Sequence, residues 1–286
     1  MPSLIDFRRR IRSVKNTQQI TKAMKMVSAA KLRRAQERVI AARPYANMLR
    51  EILINLAAAA MSDPRSSDSP WLKRREPKRI DLLFFTSDTG LAGAFNSNLL
   101  KASRKFHDDN PGAEVHLITV GRKGRDFYRR RNGRILNEYI HILNRPAYQD
   151  AANIAKESIR RYRDGETDAV YVLNNEFKSV MSQKVSVVQL LPVELPQTEP
   201  RDYIYEQSPI EMLDALMPRY VEVAVFRAML ETVASYQAAR MTAMDTASSN
   251  AKEVIDTLTL QMNRIRQAAI TKEIIEVVSG AASAAE

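Results

Sequence analysis

Two short glycine-framed turns are the first places to look for chemistry in this sequence: Gly90-Leu91-Ala92-Gly93 and Gly121-Arg122-Lys123-Gly124. Each follows an apolar run of strand length and precedes a helix-forming stretch. That is where α/β folds hold phosphate on the free N–H groups of a helix start. Neither turn completes a phosphate fingerprint, since the chain holds no G-x-G-x-x-G and no G-x-x-x-x-G-K-[ST]. Asp88, just ahead of the first turn, would repel an anion, and the second turn is the more basic of the two. Both read as strand-to-helix connections. The three histidines, His107, His116 and His141, have no nearby serine or acid in a nucleophile arrangement and form no H-E-x-x-H. Asp108 and Asp109 lie in a D-D-N-P-G turn, where solvation accounts for them. With no cysteine in 286 residues, disulfides, thiolate metal sites and cysteine nucleophiles are excluded. The expectation is a protein with no catalytic residues, no cofactor and no metal.

Charge is the other chemical signal. Residues 1–60 carry thirteen Lys and Arg against Asp6, Glu37 and Glu51, a balance of +10 out of the chain's +11. A basic helix of that length calls for an acidic protein surface, a phosphate backbone or an anionic membrane surface. Basic-region zippers are the nucleic-acid precedent, but there the basic segment runs directly into the dimer seam of the same helix, and here the long seam lies at the other end of the chain. A membrane surface is disfavoured because no Trp or Phe anchor follows Phe7 along the helix. Spanning is disfavoured too. The most apolar run, Ile52 to Met61, is ten residues long and contains Asn55, whereas a spanning helix needs about 20 apolar residues. The arginine-rich start imitates a transit peptide, yet its helical pattern runs on without a cleavage-like break, so it reads as mature structure.

The elements that must position these groups are set by the distribution of breakers. From Ser3 to Asp63 the sole breaker is Pro44, and from Arg219 to Ser279 there is neither Gly nor Pro. Turns are therefore confined to the middle, which predicts two long terminal helices flanking a turn-rich domain. Steps of three and four from Leu230 pass through Val233, Gln237, Arg240, Met244, Ala247, Ala251, Val254, Leu258, Gln261, Ile265, Ala268, Lys272 and Ile275. This thin seam of 3.5-residue period predicts supercoiling on a second helix, and an uninterrupted helix here would be roughly 90 Å long. The N-terminal segment, with Ile11, Val14, Ile20, Met24, Val27 and Ala30, then Leu32, Ala35, Val39, Met48 and Leu53, is the natural mate. Pairing within one chain would be antiparallel; self-pairing in a homodimer is the alternative. Between the helices, Ile80–Thr86, Val115–Val120, Ala169–Leu173 and Val185–Leu191 read as strands, and Phe95–His107, Gly124–Arg131 and Tyr148–Tyr162 as helices. The alternation predicts a mostly parallel sheet, with a hairpin as the alternative for the last two strands. Pro192–Pro218 reads as the exit linker. The fold class is thus α/β: a long antiparallel coiled coil of the N- and C-terminal helices with an inserted Rossmann-like α/β domain, divided as 1–63, 64–208 and 209–286.

Three stretches then carry a family resemblance. Ile11–Lys31 (IRSVKNTQQITKAMKMVSAAK), Gly90–Asn98 (GLAGAFNSN) and the tail Ala234–Ala282, with AARMTAMDTASSNA and NRIRQAAITKEIIEVVSGAA, closely resemble the gamma subunit of bacterial F-type ATP synthases. The resemblance implies a non-catalytic rotor shaft inside a ring of alpha and beta subunits, turned by an ion-driven membrane ring so that its lopsided surface opens and closes the beta sites. By the same resemblance Lys22, Met24, Lys25, Arg266, Gln267, Thr271 and Glu276 match beta-subunit contacts, and Val277–Ala285 a low-friction tip. Tyr203, Tyr205 and Glu206 match the foot that meets the membrane proteolipid ring and the epsilon subunit. The partners expected are alpha, beta, epsilon and the ring, without nucleic acid and without direct insertion into the bilayer. The expected location is the cytoplasmic face of the bacterial plasma membrane, as a peripheral membrane protein.

Overall fold

The computed structural model describes residues 3–61, 69–73, 75–193 and 205–283. Helix α1 (Leu4–Ala60) is followed by β1 (Arg79–Phe85), α2 (Phe95–Asp108), β2 (Glu114–Val120), α3 (Arg122–Arg129) and β3 (Ile135–Tyr139). Next come a 3₁₀ turn (Ile142–Asn144), α4 (Tyr148–Arg163), β4 (Ala169–Phe177), β5 (Gln183–Leu191) and α5 (Pro209–Ser283). The chain divides into two compact units. One combines the residues up to Val27 with those from Met241 onward; the other is Ser28–Arg240.

The larger unit is built on one five-stranded sheet in the order β3-β2-β1-β4-β5. Strands β1 to β4 run parallel, and β5 turns back antiparallel on β4 as a hairpin. The apolar run of β1 is buried on both faces, and its period of two divides it between two cores. Ile80, Leu82 and Phe84 pack with Phe95, Leu99 and Phe106 of α2 and Tyr128 of α3. Leu83 and Phe85 pack on the opposite face with Ile154, Ile159 and Tyr162 of α4, Leu49, Leu53 and Leu56 of α1, and Leu213, Val221 and Val225 of α5. The long helices thus supply one covering layer of the sheet. Strand β3 is absent from the sequence reading because its five residues alternate between half-buried and exposed at the sheet edge, which leaves no apolar run to detect. The segment read as exit linker is helical from Pro209 on. Proline is compatible with the first helical position, and Pro218 sits inside α5.

Within this unit α1 and α5 run antiparallel: the Arg43 guanidinium meets Glu231 at 3.0 Å, while the Arg227 guanidinium donates to Asn47 Oδ1 at 3.0 Å. The smaller unit is also an antiparallel pair. Gln18 Nε2 donates to the Ser248 carbonyl at 3.3 Å, and Lys25 Nζ meets Asp245 at 2.6 Å. Its start is fixed locally, because Ser3 Oγ accepts from the Asp6 N–H and Asp6 Oδ2 accepts from the Ser3 N–H at 3.0 Å. This reciprocal cap satisfies two donors at the helix start.

The seam keeps its heptad spacing and part of the residues expected: Ile11, Val14, Met24, Met244, Ala247, Ala251, Leu258 and Ile265 are buried or half-buried, and Ile20, Val27 and Val254 are exposed. Along α1 the covered positions of the smaller unit are Leu4, Phe7, Ile11, Val14, Gln18, Thr21, Met24 and Lys25, whereas Ile20 and Val27 are more than half exposed. Along α5 they are Met244, Ser248, Ala251, Ile255 and Leu258, and Val254 is 46% exposed where Ile255 is 9%. Alternate positions therefore sit one residue later than the apolar count places them. Small and polar side chains, Gln18, Thr21, Ser248 and Ala251, alternate in the seam with Phe7, Ile11, Val14, Met244 and Ile255, while Ile20, Val27 and Val254 turn outward.

Candidate functional site

The residues expected to make contacts fall into three separate groups. On α1, Lys22 is exposed, Met24 is half-buried and Lys25 is held by Asp245. On α5, Arg266, Gln267, Thr271 and Glu276 are all exposed. Thr271 Oγ1 bonds back to the Gln267 carbonyl at 2.9 Å, and Glu276 pairs with Lys272 at 3.4 Å, so both are engaged along their own helix. The α1 and α5 groups do not converge. Lys25 lies opposite Asp245, and the 21 residues from there to Arg266 extend about 30 Å along the helix. In the third group, Tyr205 is half-buried against the core beneath α5 and Glu206 is exposed, while Tyr203 lies outside the described residues.

The antiparallel register has a further consequence for the smaller unit. With Gln18 opposite Ser248, α1 reaches its first residue, Leu4, when α5 has reached the low 260s. Beyond that point α5 has no mate among the described residues. From Arg266 to Ser279 only Ala269 is even half-buried, and Ile270, Ile274, Ile275, Val277 and Val278 are exposed by about half or more. Steps of four and three through Ile270, Ile274, Val277 and Val278 lay them along one apolar stripe.

The second glycine turn is filled by the chain itself. Asp88 Oδ1 accepts from the Arg122 N–H at 3.0 Å, and its other oxygen accepts from the His141 N–H at 3.1 Å. The next N–H groups of α3 go to Ser87 O (Lys123, 3.1 Å), Thr86 Oγ1 (Gly124, 2.9 Å) and Gly121 O (Arg125, 3.4 Å). A helix start with all its donors taken has nothing left to offer a phosphate. Gly121 has φ of +103°, and an added Cβ would stand 2.2 Å from Thr86 O, so this glycine is dictated by backbone contact. The histidines are likewise structural. His107 bonds to Ser103 O and stacks on Tyr128, and His141 is held by Arg122. His116 lies beside Asp81 and Glu114, and burial lowers its pKa.

One arrangement escaped the sequence reading. Glu231, on α5, is almost fully buried and gathers three donors: both Arg43 nitrogens at 3.0 and 3.1 Å and the Phe177 N–H at 2.8 Å. Arg43 also donates to the Phe177 carbonyl at 2.6 Å. The bond to Glu231 holds the guanidinium pKa above its ordinary value. One acid thereby ties α1, α5 and the end of β4 together. The available signal was a single carboxylate inside the apolar run Met229–Ala234, since a buried charge requires a partner.

Comparison with known proteins places this architecture. A family model described as ATP synthase matches residues 3–284. The chain is 58% identical over 285 residues to the ATP synthase gamma chain of Solibacter usitatus, covering 99% of this chain and 100% of that one. It is 50% identical over 284 residues to the gamma chain of Desulfitobacterium hafniense, covering 99% of each. Among solved structures it resembles a chain of the central stalk and c-ring of the Tetrahymena thermophila mitochondrial ATP synthase, with a TM-score of 0.62 and 26% identity, over 80% of this chain and 99% of that one. A chain of the Euglena gracilis mitochondrial ATP synthase rotor shares the fold with a TM-score of 0.68 and 19% identity, over 93% and 98%.

Proposed function

The chain belongs to the ATP synthase gamma-chain family, and on that premise we propose how its surfaces serve the central stalk. It is the non-catalytic rotor component of an ATP synthase, and the chemistry of ATP belongs to other subunits. Its own task is mechanical: to carry rotation between the ion-driven ring and the beta-subunit sites. The basic α1 needs no nucleic acid to explain it, because acidic protein surfaces in such an assembly complement it.

The observation that carries the reading is the antiparallel pair of the smaller unit, free of Gly and Pro over Ser3–Val27 and Met241–Ser279, whose second helix continues from Arg266 without a mate among the described residues and with an apolar stripe on its surface. A helix without those residues has no built-in hinge. The exposed stripe through Ile270, Ile274, Val277 and Val278 suits a turning tip in an apolar sleeve, where non-directional contacts lock onto no single angle. Lys22, Met24 and Lys25 form the proposed lower contact with the beta subunits. Lys22 supplies the open charge there, since Lys25 is already occupied by Asp245. Arg266, Gln267, Thr271 and Glu276 form the upper contact, about 30 Å away. Tyr203, Tyr205 and Glu206, ahead of α5, form the foot on the epsilon subunit and the proteolipid ring. In this reading residues 1–63 and 209–286 are the shaft, 64–208 the inserted domain, and the assembly works at the cytoplasmic face of the bacterial plasma membrane. Among the described residues no helix is long and apolar enough to cross a membrane.

Reconstitution tests this. Alpha and beta subunits with the full chain are expected to hydrolyse ATP in a chain-dependent way, and Lys22→Glu with Lys25→Glu to weaken coupling through like-charge repulsion. ATPase activity equal with and without the chain would remove the rotor role. Unchanged coupling at low salt in the double variant would remove the lower contact.

A further inference from the structure

A cavity of about 250 Å³ lies in the larger unit where the sheet's strand order reverses. The chain passes from β1 outward to β2 and β3, then returns to the other side of β1 with β4. The crevice beyond the carboxyl ends of such strands is the place where open α/β sheets bind ligands. Ser87, Asp88 and Thr89, directly after β1, line it, together with Leu143–Pro146 ahead of α4 and parts of α1 and α5.

Its composition is two-tiered. Lys31, Arg34, Arg38 and Arg145 are exposed at the rim, and the first three share one face of α1 through steps of three and four. The one acid in the lining, Asp88, has both oxygens engaged by backbone N–H groups, so the rim keeps a balance of three positive charges. Arg38 is aligned by a 2.7 Å bond to the Pro146 carbonyl. The floor is buried and mostly apolar, with Ala35, Leu143, Leu230 and Tyr236. Two polar atoms in it have no partner among the described residues: Thr232 Oγ1, on a residue 1% exposed, and Gln237 Oε1, on a residue 8% exposed. A buried hydroxyl and a buried amide oxygen without partners each destabilise the fold, having given up water for nothing. Placed together on the floor of a basic-rimmed cavity, they mark positions where a ligand's own polar atoms fit.

We infer that this cavity binds a small organic phosphate ester, with its phosphate on Arg34, Arg38 and the Thr232 hydroxyl and its uncharged body, bearing one hydrogen-bond donor for Gln237 Oε1, on the apolar floor. The inference is independent of the stalk reading. An acidic peptide is the weaker fit, because the unpartnered groups lie at the buried floor and not on the open surface where a chain would run.

The probe is 4-aminophenyl phosphate, titrated into the full chain by calorimetry at low salt, with inorganic phosphate and 4-aminophenol as its two halves. Saturable one-to-one binding at least tenfold tighter than either half is expected. Arg34→Gln with Arg38→Gln should weaken it at least tenfold. Thr232→Val, which removes the hydroxyl and keeps the shape, should weaken it about three- to tenfold while leaving thermal stability unchanged or raised, and Thr232→Ser should restore it. Absence of saturation would overturn the assignment. So would inorganic phosphate binding as tightly as the ester, indifference to Thr232→Val in a folded variant, or tighter binding of an oligoglutamate peptide.

Discussion

Strand β1 and the end of helix α5 are built on opposite principles. From Ile80 to Phe85 every residue is fully buried, even Asp81, whose carboxylate is taken up by Arg161 at 3.0 Å. From Arg266 to Ser279 only Ala269 reaches even half burial, although this segment also carries five large apolar side chains, Ile270, Ile274, Ile275, Val277 and Val278. The same residue types therefore do two jobs. In the sheet they drive folding by leaving water, each fully buried side chain contributing about 1.5–3 kcal/mol. On α5 they stay in water and remain available to a surrounding surface. The paired part of the smaller unit lies between these extremes, with Thr21, Ser248 and Ala251 in its seam. A seam so thin gives register and direction more than stability.

The contrast can be broken most severely in the thin part. Ala251→Pro puts an incompatible residue at a covered seam position, at a cost of about 3 kcal/mol or more. The account expects coupled ATP synthesis to be lost while hydrogen exchange in β1 and β4 keeps its protection; unchanged coupled synthesis would count against a mechanical role. In the dense part, Phe84→Ala empties a space between α2, α3 and the sheet and should cost about 3–5 kcal/mol by denaturant melting, with full loss of protection across the sheet. A cost below about 1 kcal/mol would show that the core is looser than its burial indicates.

A pH titration sharpens the same comparison. Burial tends to raise the Asp168 pKa, but bonds from the Arg79 guanidinium at 2.9 Å and the Arg79 N–H at 2.9 Å overcome it and hold the carboxyl below its ordinary range. A carboxylate with a depressed native pKa stabilises above its unfolded value, near 3.9, and loses that contribution as pH falls through the native one. Asp168→Asn should therefore lower the melting temperature at pH 7 and flatten the acid decline below about pH 4. A parallel downward shift at all pH values would refute the linkage. The smallest effect belongs to Lys25 and Asp245, which are 40% and 60% exposed. A double-mutant cycle with Lys25→Ala and Asp245→Ala should return no more than about 0.5 kcal/mol, falling further with salt.

How much of this was legible depended on what each element had to bury. Strands β1, β2 and β4 announced themselves because their residues are needed on the core faces; of the two edge strands, β5 was visible from its apolar run although only Leu190 and Leu191 of it are buried, whereas β3, Ile-Leu-Asn-Glu-Tyr, has no such run. The two long helices were visible from the missing Gly and Pro, and the heptad spacing from the apolar period. The occupants of the seam were visible only in part, because an apolar count favours Ile20 and Val27, which face outward, over Gln18 and Thr21, which face the partner helix, and the stepping from Leu230 falls on Val254 where its apolar neighbour Ile255 is the covered one. Hydrophobicity locates a seam only when hydrophobic burial is the reason for it. The Glu231 junction and the closure of the α3 start by Asp88 were out of reach for another reason. Each joins residues many positions apart, Arg43 with Glu231 and Asp88 with Arg122 and His141, and no local pattern encodes such pairs.

The central claim is that the two ends of the chain pair with each other, antiparallel, in the register that sets Gln18 against Ser248. The chain has no cysteine of its own, so Gln18→Cys with Ser248→Cys introduces the sole thiols, and a short bifunctional thiol reagent reads their separation in the reconstituted complex. The account predicts rapid intramolecular linkage within single chains, with coupled ATP synthesis retained because the link lies inside the rotor. Linkage between two copies of the chain, or no linkage where Gln18→Cys joins readily to a cysteine placed several turns away on α5, would contradict it.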